Sequence, residues 1–262
     1  MKIRGLRLFL ALVLVNCLAV SASAKTKSPF QPGNRPLSLP VVGSTYLSGT
    51  DATSLSFNAY LPSFLSVITT NLKETVAYTG AGLNQLDPTR LYFTSSYKPR
   101  VYYIYEGACY DNALGVTIAN ASTPTATPVS GTSYTVFPFG HSSISPVCAS
   151  GSGVRSATEP LMAGDFVQLP TVNAGQQLAF FLMAEMDGNS TPADVYYDGA
   201  ANNADNFPHM IAFFPDNSSQ YMIIGFEDMY NGGDKDCNDL VFVVDVGQSN
   251  AAALRSASTL PK

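Results

Sequence analysis

Tryptophan is absent from this 262-residue chain, histidine occurs twice, cysteine four times, and charged residues make up only 13%. Each scarcity excludes something. Fourteen Lys and Arg against nineteen Asp and Glu give a formal net charge of −5, so the chain lacks the basic stripe that neutralises phosphates and is not expected to bind nucleic acid. With only His141 and His209 there is no His-Glu-x-x-His pair, and neither a Cys-x-x-Cys nor a Gly-x-Ser-x-Gly elbow occurs. Beyond the first two dozen residues no apolar run approaches the roughly 18–20 residues that span a bilayer, so no membrane span is expected.

What is present begins with a leader. "MKIRGLRLFLALVLVNCLAVSASA" has a basic start (Lys2, Arg4, Arg7), an apolar core from Leu8 to Val20, and Ala22-Ser23-Ala24 as a small-residue cleavage site. Residues 1–24 thus read as a secretory signal, and the processed product is expected to be secreted, periplasmic or at the cell surface. Cys17 offers a lipoprotein reading as the lesser alternative, because Asn16 precedes it where such signals place a small residue. In an oxidising compartment two of the remaining cysteines are expected to pair. Cys109 and Cys148 border the same Ser/Thr/Pro-rich excursion and are the expected bridge, leaving Cys237 as a buried free thiol.

The periodicity divides the rest. Residues 25–57 are Pro- and Gly-punctuated at their start and read as an extended arm, and residues 58–90 as a helix-containing segment. In "LPSFLSVITTNLKE" Phe64, Leu65, Ile68 and Leu72 fall at helical spacing behind Pro62, which predicts one N-terminal amphipathic helix. From 91 to 247 short β-branched and aromatic runs follow one another without interleaved helices, as in "RVYYIYEG", "QLAFFLMAEM", "HMIAFFPD", "QYMIIGFED" and "LVFVVDV". The expected fold is therefore mainly β, an antiparallel β-sandwich or jelly-roll-like domain, ending in a flexible tail at 248–262.

Within "GFEDMYNGGDKDCNDLVF", residues 225–242, Glu227, Asp228, Asp234, Asp236 and Asp239 are set against a single Lys. Like charges at that density repel unless a cation sits among them or they face water. The flanks read as strands, so residues 229–239 form a connecting loop in which Asp234, Asp236 and Asn238 place side-chain oxygens at alternate positions. That spacing aims hard ligands at one centre, and calcium needs about six to eight of them. Gly232-Gly233 permits positive φ. An EF-hand is excluded, because its sixth position is Asp239 rather than Gly and its flanks are not helices. A β-loop calcium site and a plain acidic turn capping backbone amides stay open. A third reading is catalytic: Glu106 and Glu227, each near a strand end, as the paired carboxylates of a carbohydrate-active hydrolase, roughly 5–10 Å apart across a cleft. His141 reads as a solvated loop residue and His209 as a packing histidine behind the site.

This acidic stretch resembles the signature of the domain of unknown function 4114 family, found in exported bacterial proteins and often near the C-termini of large surface proteins. "YEGACYDNALGV" at 105–116 and "NNADNFPHMIAFF", with Asn203 and His209, are similar to two further segments of that family, so the resemblance spans most of residues 91–246. Cys237 stands where the family has Phe or Tyr, and Cys109 where it has Gly; neither removes an oxygen ligand. The resemblance implies that Glu106, Asn112, Glu227, Asp228, Asp234, Asp236, Asn238 and Asp239 act together, with His209 and Asn203 behind them. It points both to enzymic activity, from the acids, and to adhesion, from the usual contexts. The combined expectation is an exported calcium-binding module that recognises an extracellular carbohydrate or surface protein. A hydrolase and a structural surface or matrix protein are the alternatives, and the oligomeric state is left open.

Overall fold

The computed structural model describes residues 24–30, 36–80, 84–120, 131–142, 144, 152–186 and 191–257. The expected signal peptide, Ala24 apart, and Cys148 lie outside the described residues. Among those described are twelve strands: β1 (Thr45–Tyr46), β2 (Asn84–Leu86), β3 (Leu91–Phe93), β4 (Arg100–Tyr105), β5 (Ala113–Asn120), β6 (Gly131–Phe137), β7 (Phe166–Gln168), β8 (Gln176–Ala184), β9 (Asp194–Tyr197), β10 (Met210–Phe214), β11 (Tyr221–Phe226) and β12 (Leu240–Asp245). Three short helices accompany them: α1 (Ala52–Asn58), α2 (Leu61–Asn71) and α3 (Gln248–Ala257).

The strands form two antiparallel sheets. One runs β1-β7-β4-β12-β11-β10-β2; the other runs β3-β8-β5-β6, with β9 also paired to β8. Strands 10 to 12 are buried along their whole length, and the period of two explains how. Leu240, Phe242 and Val244 of β12, with Met222, Ile224 and Phe226 of β11, enter a core shared with Leu178, Phe180 and Leu182 of β8 and Val116 of β5. The intervening Val241, Val243 and Ile223 face the other way, against Phe57 of α1 and Phe64 and Ile68 of α2. A sheet covered on both faces needs apolar side chains at every position, so its strands read as continuous runs rather than alternating ones.

Several boundaries differ from the sequence reading. Residues 25–57 are not simply an arm: β1 pairs with β7, and α1 lays Phe57 against Tyr102 with ring centroids 3.6 Å apart. There are thus two N-terminal helices where one was expected. The sheet does not begin at 91 either, since β2 pairs with β10. Residues 248–257 form α3 instead of a flexible tail, and 258–262 lie outside the described residues. Ala251 and Leu254 enter the core, while Asn250 accepts hydrogen bonds from the N–H groups of Thr94 and Ser95 at 3.0 and 2.9 Å.

One ion pair ties the helical side to the sheet. Asp51 caps α1, accepting from the Ser54 N–H at 2.8 Å while Ser54 Oγ accepts from the Asp51 N–H, and the same carboxylate meets both terminal nitrogens of Arg100 at 2.9 and 2.8 Å. Burial alone would raise the Asp51 pKa, but the Arg100 guanidinium and the cap hold it down at about 2. Asp51→Ala removes the cap and leaves Arg100 nearly buried without its partner, an expected loss of about 3–5 kcal/mol in urea unfolding. A loss below about 1 kcal/mol would mean that the pair behaves as a surface salt bridge.

Candidate acidic cleft

The loop of interest joins the ends of β11 and β12, two neighbouring interior strands of the seven-stranded sheet, so its base is fixed by the ladder. Asp239 N–H donates to the Phe226 carbonyl at 3.1 Å and closes that base. Between these points the backbone is tightly wound: Asn231, Gly232, Gly233, Lys235 and Cys237 all have positive φ. For the glycines this is free of cost, as expected from the sequence. For Lys235 and Cys237 it is a constrained geometry that alternates with Asp234, Asp236 and Asn238.

The segment after α2 grips this loop from outside. Thr75 N–H donates to Asp236 Oδ2 at 2.9 Å, Tyr78 N–H to the Lys235 carbonyl at 2.6 Å, and Asn238 Nδ2 to the Leu72 carbonyl at 3.3 Å. Glu74 is thereby brought beside the loop, with one oxygen 3.4 Å from Asn238 Nδ2. Oxygens of Glu74, Asp234 and Asp236 all lie within 4.8 Å of one another. Asn238 is fully buried, and its Oδ1 has no hydrogen-bond partner. The acid that completes this group, Glu74, is 160 residues upstream of Asp234. Nothing in the local pattern at the end of a predicted helix marked it.

Deeper in the same region lie Glu227, Asp228 and Asp239. Glu227 Oε1 accepts from the Cys237 N–H at 2.8 Å, Asp228 Oδ2 from Asn112 Nδ2 at 2.7 Å, and Asp239 Oδ2 from the Asp228 N–H at 2.8 Å. These three, with Glu74 and Asp234, line a cleft of about 650 Å³ whose opposite wall is Gly107, Ala108, Cys109 and Tyr110. Burial, followed by the charges of Asp236, Asp234 and Asp228, pushes Glu227 up to about 8 against the opposing Cys237 hydrogen bond. Asp236 rises to about 6, again chiefly by burial. Asp228 and Asp239 both rise, desolvated and facing each other.

Glu106 is not part of this group. It is 1% exposed; its Oε2 accepts from the Ser142 N–H at 3.0 Å and its Oε1 meets His141 Nδ1 at 2.5 Å. His141 Nε2 meets Asp111 Oδ1 at 2.6 Å, so the ring is held between two carboxylates rather than solvated as the sequence suggested. Burial lowers the His141 pKa, but Glu106 and then Asp111 outweigh it and raise it. The pairing of Glu106 with Glu227 across one cleft is therefore absent from the geometry: Glu227 lines the cleft, and Glu106 braces the wall behind it. Asn112, by contrast, reaches the deep acids directly.

The two residues expected behind the site hold backbone. His209 Nδ1 donates to the Glu227 carbonyl at 3.1 Å, its Nε2 meets Asp205 Oδ2 at 2.8 Å, and the ring stacks on Tyr196 at 3.7 Å. Asn203 accepts from the Tyr197 N–H at 2.7 Å and donates to the Phe207 carbonyl at 2.8 Å, fixing the turn that leads to His209. Cys237 is a buried free thiol. Cys109 is not free. With Cys148 outside the described residues, the Cys109–Cys148 bridge stays an expectation.

Residues 172–247 match a family model described as Domain of unknown function (DUF4114), the family that the acidic signature resembles. That stretch holds Asn203, His209 and all the loop acids, while Glu74, Glu106 and Asn112 fall before it. No curated protein and no solved structure matches the chain.

Proposed function

We propose that this chain is an exported β-sandwich module, jelly-roll-like in arrangement, in which calcium bound at the 234–239 turn orders a surface for recognising an extracellular carbohydrate or surface protein. The carboxylates in this reading are structural and ligand-positioning, not catalytic. One observation carries it: the convergence of carboxylate oxygens of Glu74, Asp234 and Asp236 within 4.8 Å of one another. Three carboxylates are a hard, all-oxygen donor set suited to calcium, and waters at the exposed Glu74 and Asp234 would complete its coordination. An ion there would tie the segment after α2 to the loop between β11 and β12 and offset the repulsion among the acids. Export rests on the composition of residues 1–24, and the sandwich on the core shared by the two sheets.

The test is thermal unfolding with and without calcium. Calcium at 100 times its dissociation constant stabilises by about 2.7 kcal/mol, a rise of roughly 5–10 °C for a chain of this size. Asp234→Ala with Asp236→Ala is expected to abolish the rise. No shift on adding calcium or chelator to the unaltered protein would sink the reading.

A further inference from the structure

We propose that a pocket at the end of β11 away from the acidic loop binds one unit of a neutral saccharide, stacked on Tyr60 and hydrogen-bonded by Asp216, Gln220 and Gln248. The inference goes beyond the proposed function, because it places a carbohydrate site where no calcium is needed.

The pocket lies where the turn between β10 and β11 meets the corner between α1 and α2 and the start of α3. It holds about 380 Å³, toward the small end of the roughly 300–1,000 Å³ of ligand sites. The loop between β11 and β12 leaves the other end of β11, six residues or about 20 Å away, and the two regions share no residue.

The exposed ring in this pocket is Tyr60, 52% exposed, between the two helices. Its N–H donates to the Phe57 carbonyl at 2.9 Å and its carbonyl accepts from the Phe64 N–H at 3.0 Å, which pins its backbone on both sides. The ring stands 5.5 Å from that of Tyr221, itself packed edge-on against Phe57 and Phe64. A ring held this way at a cavity loses little entropy when a ligand lies on it.

Polar side chains supply the rest. Asp216 Oδ1 fixes the turn, accepting from the N–H groups of Ser218 and Ser219 and from Ser218 Oγ at 2.6, 2.7 and 2.7 Å, and no bond among the described residues takes its Oδ2. Gln220 and Gln248 are each tethered through Nε2, to Asp245 Oδ1 at 3.0 Å and to the Ser218 carbonyl at 3.2 Å, and each leaves Oε1 for a ligand. Three acceptors are thus oriented by bonds at their other ends before a ligand arrives. A fitting ligand must donate several hydrogen bonds and lay an apolar face on Tyr60. A pyranose does both, through its hydroxyl groups and the C–H face of its ring. No Lys, Arg or His among the described residues lines the pocket, so an anionic ligand would meet only the Asp216 carboxylate. The two uncharged amides beside that single carboxylate favour a neutral polyol over a cation.

The experiment is a calorimetric titration of the full chain with neutral six-unit oligosaccharides of glucose, mannose, galactose or xylose, each in calcium and in chelator. One of them is expected to bind at one site per chain, equally in both media. Tyr60→Ala should weaken that binding about ten-fold or more, Gln248→Ala should weaken it too, and Tyr60→Phe, which keeps the ring, should bind more tightly than Tyr60→Ala. Should Tyr60→Ala fail to fold, Ser63→Tyr, at an exposed position on the pocket wall, is expected to fill the cavity and abolish binding. No binding by any of these oligosaccharides, binding of choline or of an oligogalacturonate in their place, or binding unaltered by Tyr60→Ala overturns the site. Binding lost in chelator and with Asp234→Ala and Asp236→Ala, but kept by Tyr60→Ala, also overturns it and leaves the proposed function standing, with its ligand at the acidic cleft. Binding that depends on Tyr60, in a protein whose unfolding calcium does not shift, supports the site and sinks the calcium reading.

Discussion

In chelator the protein is expected to unfold at progressively lower temperature as pH rises from about 5 to about 8, and calcium is expected to flatten much of that slope. The sign follows from the raised carboxyl pKa values. Unfolded Asp and Glu release their protons near about 3.9 and 4.3, whereas burial first and neighbouring acids second hold Glu227 at about 8 and Asp236 at about 6 in the folded chain. Between those limits the native state binds protons that the unfolded state has lost, so raising the pH disfavours the native state. Bound calcium replaces the protons and removes this part of the dependence. Contributions of the same sign from groups outside the loop remain in calcium, those of Asp198 and His141 among them. Asp198 is held at about 8 by burial and then by the charge of Asp87, and His141, raised by Glu106 and Asp111, loses its stabilising charge as pH passes through its pKa. Asp198→Asn should therefore reduce the residual slope and leave the calcium-sensitive part untouched. Equal slopes with and without calcium, or stability that rises across this window in chelator, would show that the loop acids are not neutralised by the ion.

The second large effect is expected from one methyl group. Gly107 forms the wall that faces the loop, and its N–H donates to the Asn238 carbonyl at 2.9 Å. A Cβ there would stand 1.7 Å from Asn238 Oδ1 and 3.1 Å from the Asn238 carbonyl oxygen. Asn238 is fully buried and bonded to Leu72 and Glu74, so its side chain has nowhere to swing. Gly107→Ala must then push the wall and the loop apart, at a cost of about 1–3 kcal/mol of overpacking, and calcium affinity should fall at least ten-fold with it. Gly43→Ala is the control, because a Cβ there meets nothing nearer than 3.6 Å. If Gly107→Ala unfolds like Gly43→Ala and binds calcium as the unaltered protein does, the wall and the loop are not mechanically coupled.

How much of this was readable in the sequence depends on whether the physics was local. The strands β10 to β12 were legible because a sheet covered on both faces demands an apolar residue at every position, and "LVFVVDV" states that outright. β5 was not: "ALGVTIAN" contains Gly, Ala and Thr, and Gly115 is confined to its size by Phe181, whose ring lies 2.2 Å from where a Cβ of that residue would stand. α3 was missed because "QSNAAALRSA" offers the core only Ala251 and Leu254, too little apolar content to register as periodic. At the site, the loop acids declared themselves by density. Glu74 did not, since its place in the group is created by hydrogen bonds from Thr75 and Tyr78 to a loop far along the chain. His141 sat in a polar stretch and read as solvated, and only the fold reveals that two carboxylates close on it.

The seven-stranded sheet terminates in β1, two residues long, and β2, three residues long. A border that brief exposes too few backbone donors and acceptors to template another chain. Copies of this protein crowded together therefore have little to zip through on that sheet. Polymerisation by strand addition, if it occurs, should start at the opposite sheet, at the exposed end of β6 and not further along it, where the Thr135 backbone is already bonded to Pro40 and Val42, so Thr132 is where a charge would block it.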